Sequence, residues 1–190
     1  KAGQAKYKVI RPYRDQIENK YQGCIAAVPG AAWARKLFPG LRTSQAMEKL
    51  WEAILSTSRV DEDPVAAWDA HNKDLHDRCQ YLNSLHLRQL KYKSANGTDL
   101  TVGIADKALW ESAGSKNEKG VVFLPNIPTE EVFTAPHKDK VNGIVYGTKP
   151  YVFNGQLIKG FHVTFKDGRV VEHGADEGAE LLGRLLDTDE

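Results

Sequence analysis

Two adjacent carboxylates, Glu130 and Glu131, sit in a proline-fenced stretch that reads Leu124-Pro125-Asn126-Ile127-Pro128-Thr129-Glu130-Glu131-Val132-Phe133-Thr134-Ala135-Pro136-His137. A carboxylate on a rigid extended segment suits a divalent metal ion, because it supplies a charged oxygen with no mobile helix end behind it. Proline removes a backbone donor and biases its predecessor toward extended geometry. The stretch is therefore expected to be an edge strand, or a strand leading into a cleft. Neighbouring side chains of an extended chain point to opposite faces, so the two glutamates do not aim at one atom. One is expected to face a site, the other solvent or a supporting partner. The competing reading is a pair of surface glutamates whose charge blunts strand pairing. A lone carboxylate makes no metal site, so chemistry alone leaves both readings open.

The histidines offer weaker candidates. His71 and His76 fall on a predicted helix about 140° apart around its axis, so they share no face, whereas a helix-borne metal pair wants i, i+4 spacing. His162 and His173 come directly opposite each other if the hairpin around Asp167-Gly168 closes with a two-residue turn that pairs Lys166 with Arg169 and Phe165 with Val170. That pair could grip a metal, but Thr164 and Val171 beside it bring no strong donor, and a solvated face competes. In this register Phe161, Val163, Phe165 and Val170 share the core face, leaving His162, Thr164, Lys166, Arg169 and His173 on the other.

Composition narrows the class. The 190 residues carry 26 basic and 25 acidic side chains, a net charge of +1, so no bulk field draws the chain to nucleic acid or membrane. With 27% charged and 41% hydrophobic residues it has the make-up of an ordinary globular domain. No apolar run approaches a membrane span, and nothing at the start reads as a secretory signal. Cys24 and Cys79 are too few for a disulfide framework and lack paired metal spacing, which points to a reduced, cytoplasmic setting with both thiols buried. The chain opens at Lys1 without methionine and stops on Asp187-Thr188-Asp189-Glu190 directly after a helical pattern, so a longer parent is expected.

The elements that must position these residues are legible in part. Residues 1–22 suggest a short or broken helix, interrupted by Pro12. Gly23 to Val28 is a continuous apolar run ended by Pro29-Gly30, expected as a fully buried strand. Trp33 to Phe38 is a turn or two of helix stopped by Pro39-Gly40, with Arg35 and Lys36 either capping its carbonyl end or reaching an anion. With Thr43 or Ser44 as N-cap, Met47, Leu50, Trp51, Ile54 and Leu55 make an amphipathic stripe. Asp63-Pro64 announces a second helix through Val65, Trp68, Asn72, Leu75, Cys79 and Leu82, expected to pack against the first as a pair.

After Asn83 the period becomes two. Strands at Leu87–Tyr92 and Leu100–Ile104 flank Ala95-Asn96-Gly97-Thr98, and pairing Leu100 with Tyr92 and Val102 with Leu90 matches apolar residues, which predicts a three-residue or bulged loop. Ala105 to Ser112 should hold a short turn of helix. Gly114 to Gly120 is a polar loop, either a lid over a substrate or a hairpin tip. Further strands are expected at Gly143–Tyr146, at Tyr151–Phe153 and at Leu157-Ile158 after the Asn154-Gly155 turn, then a closing helix through Ala179, Leu181, Leu182, Leu185 and Leu186. The fold class is α+β, mixed: a helical and short-strand portion over 1–85, then an antiparallel β-rich portion over 86–190 with a closing helix.

The stretch from Asn126 to Pro136 resembles the signature of the aminopeptidase T family of bacterial metalloaminopeptidases, which also includes aminopeptidase S. So do Trp33-Ala34 with Phe38-Pro39-Gly40, Asp63-Pro64-Val65-Ala66-Ala67-Trp68 with His71-Asn72, Gly97-Thr98-Asp99-Leu100-Thr101-Val102-Gly103, and Leu185 to Glu190, all in the family's order. The resemblance covers essentially the whole chain. It implies a hydrolase, a cocatalytic two-metal aminopeptidase that removes the N-terminal residue from peptides with a free N-terminus, as a cytoplasmic homodimer. The metals would be divalent zinc, cobalt or magnesium, two per active site. Matched residue by residue, the family's metal-binding glutamate falls on Glu131, with Glu130 as its supporting neighbour or runner-up ligand; Thr129 and Asn126 would support the strand end. No catalytic residue is assigned. The remaining ligands would lie beyond Glu190 and a further N-terminal portion before Lys1. The chain is thus expected to be the middle of such an enzyme, with 1–85 the end of an N-terminal domain and 86–190 part of the catalytic domain, inactive alone. The rival expectation is a non-catalytic binding or dimerisation module.

Overall fold

In the computed structural model, residues 2–17, 20–60 and 62–187 are described. They form two compact units, one drawn from residues 2–81 and 111–133, the other from 82–110 and 134–187. The α+β class holds, with helices gathered early in the chain and an antiparallel sheet with a closing helix later.

The first unit begins with helix α1 (Ala2–Asp15), which runs on through Pro12 where a break was expected. Proline fits helical φ and removes one backbone donor, and here the helix continues to Asp15 beyond it. Strand β1 (Ile25–Ala26) has only two residues, and Ile25 is 72% exposed, so the apolar run is not the buried strand it suggested. Helices α2 (Ala31–Leu37) and α3 (Thr43–Thr57) pack together around Ala34, Ala46, Leu50 and Ile54, with Ala27, Phe38 and Met47 at the edge. The buried line is Ala46, Leu50 and Ile54; Trp51 and Leu55 of the expected stripe stay exposed. Two fully buried alanines, Ala34 and Ala46, let the helices approach closely and turn α3 toward its small-residue side. The N-cap of α3 is Arg42, without a side-chain bond, rather than Thr43 or Ser44.

Helix α4 (Pro64–Ser84) starts as its sequence indicates, with Asp63 Oδ1 accepting the Ala66 N–H at 3.0 Å. The close helix pair is α2 with α3, and α4 is tied instead to the end of α3 by the Trp68 indole N–H, which donates to the Ser58 carbonyl at 2.8 Å. The unit is completed by the short strands β4 (Glu111–Ser112), β5 (Ser115–Lys116), β6 (Val122–Phe123), β7 (Asn126–Ile127) and β8 (Val132–Phe133). The polar loop proves to be the β5–β6 hairpin tip, organised by buried Asn117, whose Oδ1 accepts the Lys119 and Val121 N–H groups.

In the second unit, β2 (Gln89–Lys93), β3 (Asp99–Ile104), β9 (Pro136–Tyr146), β12 (His162–Lys166) and β13 (Arg169–Gly174) form one antiparallel sheet in the order β13-β12-β9-β3-β2. Leu90 faces Val102 and Tyr92 faces Leu100, with Ser94 bonded to Thr98 across a three-residue loop, as the apolar matching required. A smaller hairpin joins β10 (Tyr151–Phe153) to β11 (Gln156–Ile158), and helix α5 (Ala179–Leu186) closes over β13 and β11 with Leu182 buried.

The β12–β13 hairpin corrects one expectation. Lys166 pairs with Arg169 and Phe165 with Val170, but Thr164 pairs with Glu172, Val163 with His173 and His162 with Gly174. Val171 is the extra residue of a β-bulge, which moves every later residue of β13 by one position. Successive pairs face opposite sides of a sheet, so His162 and His173 are not a facing pair. The His162 ring covers Gly174, where a Cβ would meet it at 2.6 Å, and the His173 ring lies against Gly183 of α5.

Gly143 in β9 shows how tightly the sheet is drawn: its φ is +113°, and a Cβ there would fall 2.1 Å from the Asp99 carbonyl oxygen. Gly143→Ala is expected to lose more than about 1 kcal/mol from the backbone alone, with overlap adding about 1–3 kcal/mol. Gly23→Ala, where a Cβ makes only ordinary contact with Tyr21, is the control, expected within about 0.5 kcal/mol of wild type in urea unfolding.

Candidate functional site

The proline-fenced stretch is not one edge strand but two short ones with a bowed link between them. Strand β7 pairs in parallel with β1, Ile25 opposite Asn126 and Ala26 opposite Ile127, and the Ile25 N–H reaches the Pro125 carbonyl at 2.8 Å. Strand β8 pairs antiparallel with β4, Glu111 opposite Phe133 and Ser112 opposite Val132. Between them run Pro128, after a cis Ile127–Pro128 bond, then Thr129, Glu130 and Glu131. The link and β1 border an open groove of about 530 Å³, lined by Ile25 to Ala27 and Asn126 to Glu131.

The two glutamates are in different situations. Both carboxylate oxygens of Glu130 are taken by the Arg59 guanidinium in a fork, with Nη1 on Oε1 and Nη2 on Oε2 at 2.9 Å. His71 Nε2 lies 3.5 Å from Oε2 of the same carboxylate. Glu131 lines the groove and is exposed, and among the described residues nothing bonds to its carboxylate. Both residues border the groove and lie outside any strand, so what separates them is that one carboxylate has partners and the other has none among the described residues.

The support comes from the C-terminal end of α3 and the N-terminal half of α4. Arg59 follows α3 with φ +55°, a left-handed conformation that costs a residue with a Cβ about 1–2 kcal/mol. Val60 N–H to Leu55 O at 2.9 Å and Arg59 N–H to Ser56 O at 3.1 Å close the helix as a Schellman cap, in which glycine is the usual occupant of the Arg59 position. Trp68 of α4, 8% exposed, donates to Ser58 beside it, and the guanidinium carbon lies 5.5 Å from the centroid of its ring. His71, one turn on, meets the same ring edge-on at 5.5 Å and places Nε2 2.8 Å from the Thr129 carbonyl oxygen. The carbonyl can only accept, so Nε2 carries the proton.

Arg59 and His71 are therefore part of the site, and neither was singled out for it from sequence. The sequence offers His71 as a metal candidate only beside His76, which instead bonds Gln80 on the exposed side of α4, and otherwise as part of the family-like His71-Asn72 pair, with no role at the site. Its i+3 spacing from Trp68 was the available signal. For Arg59 there was none, because its role depends on where a helix ends.

A zinc-type site needs three or more protein donors. Among the described residues no group of three or more His, Cys, Asp or Glu could hold an ion, so the Glu131 carboxylate is at most a single oxygen donor here and not a complete site. Cys24 is exposed rather than buried, Cys79 is buried, and both are free thiols. No helix among the described residues is long and apolar enough to cross a membrane.

Comparison with known proteins bears on this geometry. The sequence profile of the thermophilic metalloprotease (M29) family matches residues 1–190. Aminopeptidase T of Thermus aquaticus is 44% identical over 192 aligned positions, covering all of this chain and 47% of that protein. Aminopeptidase 2 of Geobacillus stearothermophilus is 50% identical, covering 87% of this chain and 40% of that protein. The structure of wild-type AmpT from Thermus thermophilus superposes with a TM-score of 0.77 at 44% identity, over 85% of this chain and 39% of that one. The chain spans about half the length of the curated relatives it matches.

The fork holds the Glu130 carboxyl below the usual carboxylate range, chiefly through the Arg59 hydrogen bonds, opposed by some desolvation and aided by the charges of Arg59 and His71. A carboxyl lowered on folding stabilises above its unfolded value and loses that contribution as pH falls through the folded one. The pair thus contributes at neutral pH and fades on acidification below the ordinary carboxylate range. With Glu130 59% exposed, Arg59→Met is expected to cost no more than about 1 kcal/mol while returning the Glu130 titration upward. Carbon-detected NMR of the side-chain carboxyls checks this; an unmoved Glu130 titration would mean that the fork does not form in solution.

Proposed function

Because this chain belongs to the thermophilic metalloprotease (M29) family, we propose that it is part of a metal-dependent aminopeptidase, a hydrolase acting on peptides with a free N-terminus. The activity belongs to the whole protein, of which these residues supply one metal donor and its support. Glu131 is the donor. The observation that carries this choice is the contrast between neighbours: both line the groove, but the Glu130 carboxylate is engaged by Arg59, whereas nothing among the described residues bonds to that of Glu131.

The ions are divalent, zinc, cobalt or magnesium, and two act together. Bound, such ions polarise a carbonyl and make a nucleophile of water near neutral pH. This chain's share is to hold Glu131 in a fixed direction beside the apolar wall formed by Ile25, Ala26 and Ala27. A single carboxylate makes no metal site, and no companion donors gather among the described residues, so the other donors lie outside these. A homodimer working in the cytoplasm completes the proposal.

An aminoacyl chromogenic substrate with added divalent metal tests it. Hydrolysis is expected from the full-length protein and not from residues 1–190; hydrolysis by neither, at full metal occupancy, would favour a non-catalytic module. In the full-length protein, Glu131→Gln should lower kcat/KM by more than the about 10–100-fold typical of losing an outer partner, and Glu130→Gln should stay within that range. The reverse ranking would move the donor role to Glu130.

A further inference from the structure

We propose that Arg59 and His71 are positioning residues for Glu131, setting the direction in which its carboxylate meets a divalent cation; this rests on reading Glu131 as a metal donor. Glu131 stands between two held stretches. Before it, the Thr129 carbonyl is bonded by His71 and the Glu130 carboxylate by Arg59. After it, Val132 and Phe133 are paired with Ser112 and Glu111. With the chain fixed on both sides, the Cα–Cβ direction of Glu131 has little freedom and only its side-chain torsions remain to be ordered. A donor preset in this way loses less conformational entropy on coordination, which is how partners outside a metal's own ligands raise affinity.

The two holders share one backing. The Trp68 indole is locked by its bond to Ser58, carries the Arg59 guanidinium over its ring and meets His71 at its edge. Arg59 is also the residue of α3's cap forced into left-handed geometry, a strain that persists only where its surroundings over-determine the position. A purely structural clamp of this kind would affect unfolding and leave cation affinity alone. A positioning clamp moves cation affinity more than stability.

The full-length protein, stripped of metal and titrated with Zn²⁺ by calorimetry, distinguishes the two. Arg59→Met and His71→Leu are each expected to weaken Zn²⁺ affinity about 10–100-fold, and to alter the visible absorption of the Co²⁺-loaded form. His71→Gln is expected to recover most of the loss, because its amide N–H reaches the same carbonyl. A loss that glutamine does not recover would assign the effect to ring bulk and overturn the hydrogen-bonding role. Glu131→Gln, run in parallel, separates the inference from its premise. If Glu131→Gln weakens binding while the Arg59 and His71 variants bind within twofold of wild type, the positioning role is overturned and the donor reading stands. If Glu131→Gln binds like wild type, the donor reading falls and the positioning role with it. Should Arg59→Met fail to fold, the double variant Arg59→Met/Glu130→Met removes both charges of the fork; the same loss is expected, and binding within twofold of wild type again overturns the role.

Discussion

The forked pair between Arg59 and Glu130 is the constraint on which the site depends. It consumes one of two adjacent carboxylates and so decides which of them is available. Its strength as an ion pair is small, because both groups reach solvent and such pairs contribute about 0–1 kcal/mol. Its value lies in geometry: a planar guanidinium meeting two oxygens fixes orientation in a way a point charge does not. The energy that keeps Arg59 in place comes from elsewhere, from the buried Trp68 ring and the capped end of α3.

Extended backbone and helices divide the work around the groove. The short β1–β7 and β4–β8 ladders hold the link at its two ends, and Arg59 at the end of α3 and His71 in the N-terminal half of α4 hold its middle by side-chain contacts. None of these ladders is long enough to be stable by itself, so the link's conformation is a consequence of several weak restraints acting together. The antiparallel sheet of the other unit is built differently. Its central strand β9 carries eleven residues and requires a glycine at the φ +113° position, where the neighbouring backbone leaves no room for a Cβ.

What could be read from the sequence follows a physical line. Apolar matching across a ladder was decisive for β2–β3, where Leu90–Val102 and Tyr92–Leu100 pair as the pattern demanded. The Asp63-Pro64 helix start was local chemistry and held. The bulge at Val171 is not legible, since either register pairs Phe165 with Val170, and its effect on His162 and His173 therefore escapes the sequence. The apolar run at Ile25 was read as buried because continuity of hydrophobic residues says nothing about whether a partner layer covers them. At the site, the sequence pointed to the adjacent carboxylates Glu130 and Glu131, both of which line the groove, whereas Arg59 and His71 are brought in by contacts 71 and 58 residues distant in sequence, which no local pattern encodes.

The most direct measurement is a crystal structure of the full-length protein loaded with zinc, with the ion located by anomalous scattering at its absorption edge. Expected is a Glu131 carboxylate oxygen about 2.0–2.2 Å from zinc, with Glu130 still on Arg59. A zinc ion bound by Glu130 with Arg59 released, or one bound with Glu131 turned away from it, would contradict the division of roles between these two carboxylates.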